Sequence, residues 1–320
     1  MSSSTEAPLP QTTVGRAPQP GTKNGGTRTA GRSGGPPFLM VLPALVFFGA
    51  FALIPLAGVV VLSFMEWDGL GEPAWAGLSK WQQTFADPVT RQAMWLTALF
   101  VVVSYVFQAP VALLLGVFMA GRQRYRAVLS VLYFLPLLFS AAAIGITFQS
   151  LLDPNFGLAR AFGTELLNQN WLGNPDLALY VVVFVVGWSF VPLHSLLYQA
   201  GVRQIPASMY EAATLDGAGR VQQFFHITIP QLRYTIVTSS TLMLVGSLTY
   251  FDLIFVLTGG GPGNATRILP LDMYLNGFRS YDMGQASAVA VILVAVGLGL
   301  GLALNRISGA SRMESQQAGL

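Results

Sequence analysis

The chain alternates long apolar runs with short polar segments. Five runs carry no Asp, Glu, Lys or Arg: Phe38–Met65, Gln92–Gly121, Ala127–Leu152, Leu177–Val202 and Met283–Asn305. A sixth, Tyr234–Thr258, holds a single acid, Asp252. Each exceeds the roughly 20 apolar residues with which a helix crosses the hydrocarbon core of a bilayer. Polar and apolar positions do not alternate over segments of about ten residues, which disfavours a transmembrane barrel. The pattern predicts an all-α integral membrane protein with six transmembrane helices. Pro43 and Pro55 predict a kinked or tilted first span, and Pro136 and Pro192 lie inside the third and fourth runs.

Three regions follow. Residues 1–37 are rich in Gly, Pro, Ser and Thr and poor in large apolar side chains, and they are expected to form a disordered cytoplasmic tail. Residues 38–306 form the transmembrane domain, and 307–320 a short cytoplasmic tail. The first run far exceeds the about 7–15 apolar residues of a cleaved signal peptide, so it reads as a retained anchor.

Composition agrees: 53% of the 320 residues are hydrophobic and 10% charged, against roughly 25% charged in soluble domains. Of 17 Lys and Arg, 12 fall in the termini and in the segments holding Arg122–Arg126 and Arg203–Arg233, and 5 in the alternate loops. Basic residues collect on the cytoplasmic side. Both termini and the 203–233 segment are therefore expected inside a bacterial plasma membrane, with loops 66–91, 153–176 and 259–282 outside. Topology accounts for the net charge of +3, and no nucleic-acid partner is implied.

Chemistry is sparse. There is no cysteine, and the two histidines, His194 and His226, lie on different segments, so no metal site is expected. His194, on an apolar helix, reads as a packing residue. A phosphate-binding P-loop needs Gly-Lys-Ser or Gly-Lys-Thr, yet Lys23 precedes Asn24 and Lys80 precedes Trp81. The chain therefore has no ATP site of that type and no catalytic constellation. It reads as a transport subunit, not an enzyme.

Between the fourth and fifth runs lies Glu211-Ala212-Ala213, then Asp216-Gly217, then Ile227-Thr228-Ile229-Pro230. Pro206 suits a helix start. Gly217-Ala218-Gly219 can divide the segment into two short helices, the second ending near Pro230. Ala212, Ala213, Gly217 and Gly219 would let a partner approach closely. The segment resembles the EAA loop of ABC importer permeases, with Ile229 in place of the leucine of Ile-x-Leu-Pro. The resemblance implies that Glu211, Ala212, Ala213, Asp216, Gly217, Ile227, Ile229 and Pro230 form the cytoplasmic loop that grips a separate ATPase. An amphipathic connector on the membrane surface is the plainer alternative.

A second stretch, Phe251-Asp252-Leu253-Ile254-Phe255-Val256-Leu257-Thr258-Gly259-Gly260-Gly261-Pro262, resembles the carbohydrate-uptake branch of these permeases. Trp67-Asp68-Gly69, Asp153-Pro154-Asn155-Phe156-Gly157 and Gly284-Gln285-Ala286-Ser287-Ala288 extend the likeness over most of 38–306. The resemblance implies that Ser247, Tyr250, Phe251 and Asp252, with Trp188, Ser189, Phe190 and Leu193, border the sugar path. Helix packing is the alternative at each position. Asparagines common there in maltose-type relatives are Ser or Tyr in this chain. Ser247 and Tyr250, three apart, would share a helix face. Asp252 has two readings: it faces the aqueous path, or it is solvated near the interface. The triple glycine reads as a flexible turn.

The resemblance further implies a second permease subunit, an ABC ATPase dimer carrying ATP and Mg, an extracytoplasmic sugar-binding protein, a sugar substrate and surrounding membrane lipid. No clustered arginines mark a phosphate ligand, so a neutral di- or oligosaccharide is favoured over glycerol 3-phosphate. An ion-coupled secondary transporter is the competing class, but Asp252 is the one intramembrane acid it would have.

Overall fold

The computed structural model describes residues 38–308 apart from 122, 159, 161, 162 and 164–168. The tail expected over 1–37 and nearly all of that over 307–320 lie outside the described residues. The chain divides into two units, Met1–Gly49 and Ala50–Leu320. The first contributes α1 (Phe38–Phe48), with Pro43 inside it. A π turn, Gly49–Leu53, spans the division.

In the second unit, α2 (Ile54–Leu62) leads to a two-strand hairpin, β1 (Met65–Glu66) and β2 (Ala74–Trp75). The hairpin turn is fixed by Asp68, whose Oδ1 accepts from the N–H groups of Leu70 and Gly71 at 2.9 Å each. Helix α3 (Ser79–Ala86) precedes α4 (Pro88–Met119), which Asp87 caps. Then come α5 (Arg124–Phe134), α6 (Ala141–Leu151) and α7 (Pro175–Arg203). Short helices α8 (Ala207–Leu215), α9 (Arg220–Gln223) and α10 (Ile229–Gln231) follow. The chain closes with α11 (Arg233–Ser247), α12 (Asp252–Leu257), α13 (Leu269–Tyr274) and α14 (Met283–Ser308).

Among the described residues, four helical runs are long and apolar enough to cross a membrane: Met40–Leu62, Pro88–Met119, Pro175–Arg203 and Met283–Arg306. The other two apolar runs are interrupted, so each is a broken helix among the described residues. In the third run α5 and α6 meet at 100°. The corner is a tight turn over Leu135–Leu138 containing Pro136, and Ser140 restarts the helix by accepting from the N–H of Ala143 at 3.2 Å. In the run Tyr234–Thr258 α11 stops at Ser247 and α12 begins only at Asp252.

Helices α4 and α7 form the centre of this unit, and glycines let them close. A Cβ on Gly116 of α4 would lie 2.6 Å from Tyr198 Cβ and 2.7 Å from the Ser195 carbonyl oxygen. On α7, a Cβ at Gly187 would lie 2.7 Å from Phe107 Cδ1. Small residues at such crossings replace the hydrophobic drive that lipid cannot supply. Around them Phe100, Val182, Val185, Val186, Ile254, Leu257 and Leu271 are fully buried.

The two central helices run parallel. Their C-terminal ends meet in one pocket lined by Ala120, Gly121 and Val202. The α5–α6 pair between them leaves that end, where Arg126 donates to the Phe118 carbonyl, and finishes where Leu152 faces Leu177 of α7. Ion pairs secure the opposite end. Lys80 Nζ lies 2.9 Å from Asp282 Oδ2, holding α3 to the start of α14. Arg267 pairs with buried Asp272 at 2.8 Å, and Thr90 Oγ1 of α4 lies 3.0 Å from the same carboxylate. The glycines after α12 form a hydrogen-bonded turn. Gly259, Gly260 and Gly263 take φ of 59°, 93° and 56°. Buried Thr266 ties the turn down, donating to the Gly261 carbonyl at 2.8 Å and lying 2.7 Å from the Thr258 hydroxyl.

Candidate functional site

The first candidate lies at the interruption between α11 and α12. Ser247 Oγ donates to the Met243 carbonyl at 2.7 Å and Thr249 Oγ1 to the Gly246 carbonyl at 2.8 Å. Hydroxyls that bond back to their own helix in this way compete with the backbone ladder. Residues 248–251 are non-helical and carry Tyr250 and Phe251 off the helix axis. Irregular backbone at membrane depth is tolerated where protein buries it or it lines a water-filled cavity.

Aromatic rings gather at the interruption. Tyr250 packs against Phe190 of α7 with centroids 4.8 Å apart, and edge-on to Phe100 of α4 at 6.1 Å. Phe251 stacks on Phe255 at 5.3 Å and contacts Tyr274 at 5.0 Å. Beside them a groove of about 800 Å³, lined by Leu248, Thr249, Phe251, Met273 and α14 residues such as Gly297, is almost wholly apolar.

The residues expected along the path therefore separate. Phe190 and Tyr250 meet in one ring group with Phe100, while Phe251 joins another with Phe255 and Tyr274. Ser247 and Tyr250 do not share a helix face, because the helix ends between them. Ser247 is buried, and Ser189 turns its hydroxyl to the Val185 carbonyl at 2.8 Å, so both spend their donors within their own helices. Trp188 faces away from this cluster, onto Phe148 of α6 at 5.2 Å, and Leu193 is partly exposed. Asp252 is exposed in the first turn of α12, where a negative charge complements the helix dipole. His194 is buried, with Nδ1 3.0 Å from Ser239 Oγ.

Sequence reasoning missed a polar seam in the centre of the bundle. Tyr105 and Ser240 hydroxyls lie 2.9 Å apart, linking α4 to α11 beside the His194–Ser239 pair. Gln199 of α7 donates to the Met119 carbonyl at 3.0 Å. Single Ser, Tyr and Gln residues scattered through apolar runs gave no signal, because only packing brings them together.

The second candidate is the polar segment after α7. Helix α8 carries Glu211, Ala212 and Ala213 and ends at Leu215. The Ala218 N–H then bonds the Ala213 carbonyl at 2.8 Å, and Gly217 adopts φ of 80°. This is a left-handed helix stop, which glycine accepts without steric cost. A Cβ at Gly217 would meet nothing within 4 Å, so conformation and not crowding demands glycine in this chain. Tyr210 OH lies 3.0 Å from the Thr228 hydroxyl and bridges the two halves of the hairpin. Glu211, Ala212, Asp216, Gly217 and Pro230 are exposed, and Ala213, Ile227 and Ile229 half-buried. Leu215 and Val221 expose 90% and 72% of their surfaces. Apolar side chains displayed on a polar, internally braced hairpin form a surface suited to a protein partner.

Comparison with known proteins gives this arrangement a family. Residues 112–311 match the binding-protein-dependent transport system inner membrane component family. The chain is 36% identical over 260 residues to a probable ABC transporter permease, YurN, of Bacillus subtilis, covering 79% of this chain and 89% of that protein. It is 30% identical over 264 residues to the trehalose/maltose transport system permease MalF of Thermococcus litoralis, covering 79% and 86%. Among solved structures, a chain of a bacterial ABC transporter involved in alginate import superposes with a TM-score of 0.76 at 22% identity, covering 85% of this chain and 94% of that one. That likeness concerns the fold alone. Both the family and the curated relatives exclude the secondary-transporter alternative: the chain belongs to the binding-protein-dependent inner membrane components, as an ABC importer permease of the carbohydrate-uptake type.

Proposed function

We propose that the chain is one of two permease subunits of an importer for a neutral di- or oligosaccharide. It would pair with a second permease, receive sugar from an extracytoplasmic binding protein, and be driven by an ABC ATPase dimer that binds ATP and Mg. The observation that carries the reading is the interrupted helix at 248–251, which holds Tyr250 against Phe190 in the centre of the bundle. Aromatic faces stack on the C–H face of a sugar while hydroxyls bond its rim. No Lys or Arg lines the groove beside Phe251 among the described residues, which favours a neutral ligand over an anionic one.

Six crossings are the topology we infer. The parallel course of α4 and α7 requires one crossing between them, which the α5–α6 pair supplies. α11 with α12 returns the chain to the Asp87 end, and α14 leaves it again. The bias in Lys and Arg supports cytoplasmic termini and a cytoplasmic 203–233 segment. The exposed Glu211–Pro230 hairpin then faces the ATPase. Closure of the ATPase dimer on ATP would move the hairpin, and its bracing by Tyr210–Thr228 would pass that motion to α7 and α11. Only contacts that differ between two states can shift such an equilibrium.

The test is ATP-dependent uptake in proteoliposomes holding this chain, the permease and ATPase that co-purify with it, and the cognate binding protein. Uptake of a labelled neutral oligosaccharide, inhibited by unlabelled neutral but not anionic sugar, is the expected result. Uptake of anionic sugar alone would overturn the substrate class.

A further inference from the structure

A pocket of about 290 Å³ lies where the ends of α4 and α7 meet the Glu211–Pro230 hairpin. Among the described residues its walls include Arg126, Arg220, Tyr210, Gln223 and Thr228, and no Asp or Glu. Most of its polar groups are already engaged. Tyr210 and Thr228 hydroxyls lie 3.0 Å apart, and Gln223 Nε2 donates at 3.0 Å to both the Thr214 hydroxyl and the Ala218 carbonyl. The guanidiniums hold the spare donors. Arg126 donates from Nη1 to the Phe118 carbonyl and from Nε to the Tyr125 hydroxyl at 3.2 Å, with its Cζ 4.4 Å from the Phe118 ring centroid, and no hydrogen bond among the described residues engages its Nη2. Gly121 leaves it room, since a Cβ there would fall 2.7 Å from Arg126 Cζ. Arg220 forms no ion pair among the described residues.

Two guanidiniums on one pocket, with no carboxylate among its described lining residues, suit an anion between them. The guanidinium fork suits the oxygens of a phosphate group. The remaining wall, including Val117, Ala120 and Val202, is apolar and belongs to the ends of membrane-crossing helices. That combination matches headgroup depth, where basic pockets between helices hold anionic lipid. We propose that this pocket is a phosphate-group site that ties the coupling hairpin to α4 and α5. The orientation used here rests on the reading that the 203–233 segment is cytoplasmic. An anion bridging Arg126 and Arg220 would join the start of α5 to α9, so membrane composition would set how firmly the hairpin is held.

Hydrogen exchange over residues 207–231 of the full chain in nanodiscs tests this without requiring transport, so its failure is separate from any failure of the importer reading. Three media are compared: phosphatidylcholine alone, phosphatidylcholine mixed with phosphatidylglycerol, and phosphatidylcholine with inorganic phosphate. Phosphatidylglycerol should slow exchange by about fivefold or more, the lower range of ordinary coupling between sites. Arg220→Gln, which removes no ion pair or side-chain hydrogen bond among the described residues, should abolish the slowing, and so should Arg126→Gln. Arg124→Gln removes the same charge outside the pocket and should preserve it. Slowing by inorganic phosphate to the same extent would identify free phosphate as the source and keep the site. No slowing in either medium, or equal slowing in Arg220→Gln, would overturn the proposal.

Discussion

Tyr250 and Phe190 face each other with ring centroids 4.8 Å apart, one from the interruption after α11 and the other from α7. The contact joins the irregular backbone to the central helix pair. If this aromatic face meets the sugar, Tyr250→Ala should lower uptake by about tenfold or more, equivalent to about 1.4 kcal/mol of lost transition-state binding. Assembly with the ATPase should survive. Ser247→Ala should change uptake little, because that hydroxyl is spent on the Met243 carbonyl. Normal uptake by Tyr250→Ala would remove the cluster from the path.

Gly116 sets the separation of α4 and α7. Leucine there would collide with Tyr198 Cβ and the backbone at Ser195, and neither can move without parting the helices. Overpacking of this kind costs about 1–3 kcal/mol. Gly116→Leu should lower the thermal unfolding midpoint of the purified protein by several degrees. Gly299→Leu on α14 is the control, since a Cβ there meets nothing within 4 Å. Equal midpoints for the two variants would count against the packing account.

Asp87 starts α4 and supplies a pH dependence. Burial pushes its carboxyl up, but hydrogen bonds from the Thr90 hydroxyl and the N–H groups of Val89 and Thr90, with the charge of Arg267, outweigh that and hold it below the ordinary value. A depressed carboxylate stabilises the fold fully above its unfolded value, near about 4, and loses that contribution as pH falls through the folded value. Asp87→Ala should therefore cost about 1 kcal/mol at neutral pH, as a lost helix cap. The gap between wild type and variant should close below about pH 4. Melting curves taken across that range would show it, and a gap that widened on acidification would reverse the sign.

Topology can be read chemically because the chain has no cysteine of its own. A single cysteine at Ser79 should react with an impermeant thiol reagent added outside cells. One at Gln123 should react only after the membrane is opened. The reverse pattern would invert the inferred orientation.

The ends of the membrane-crossing segments were legible in the sequence because charge is costly in lipid, and every run stops at a charge or a glycine-rich turn. Its interruptions were not. Ser247, Thr249 and Pro136 are compatible with either an intact or a broken helix, and the packing of neighbouring elements decides. The same limit applies to the site. Phe190 and Tyr250 were both candidates, yet 59 intervening residues give no sign that their rings meet. Ser189 and Ser247 stood on the sugar path that the resemblance implies, but their hydroxyls bond the Val185 and Met243 carbonyls of their own helices. The Asp272–Arg267–Thr90 network was invisible, since Thr90 and Asp272 are 182 positions apart.

Gly217 separates a backbone requirement from a contact requirement. Its φ of 80° terminates α8, and the space around it within this chain is open. A leucine would carry left-handed strain of about 1–2 kcal/mol without any clash inside the chain. Asparagine tolerates that conformation far better. If the hairpin needs glycine only to turn, Gly217→Asn should keep the co-purifying ATPase and sugar uptake, while Gly217→Leu should weaken both. If the ATPase packs directly on the glycine, both variants should lose it to a similar degree, with normal membrane insertion in each. Quantifying the ATPase retained per permease after purification decides between the two. Full retention and substrate-stimulated hydrolysis in Gly217→Leu would make the hairpin a passive connector and remove the coupling role proposed for it.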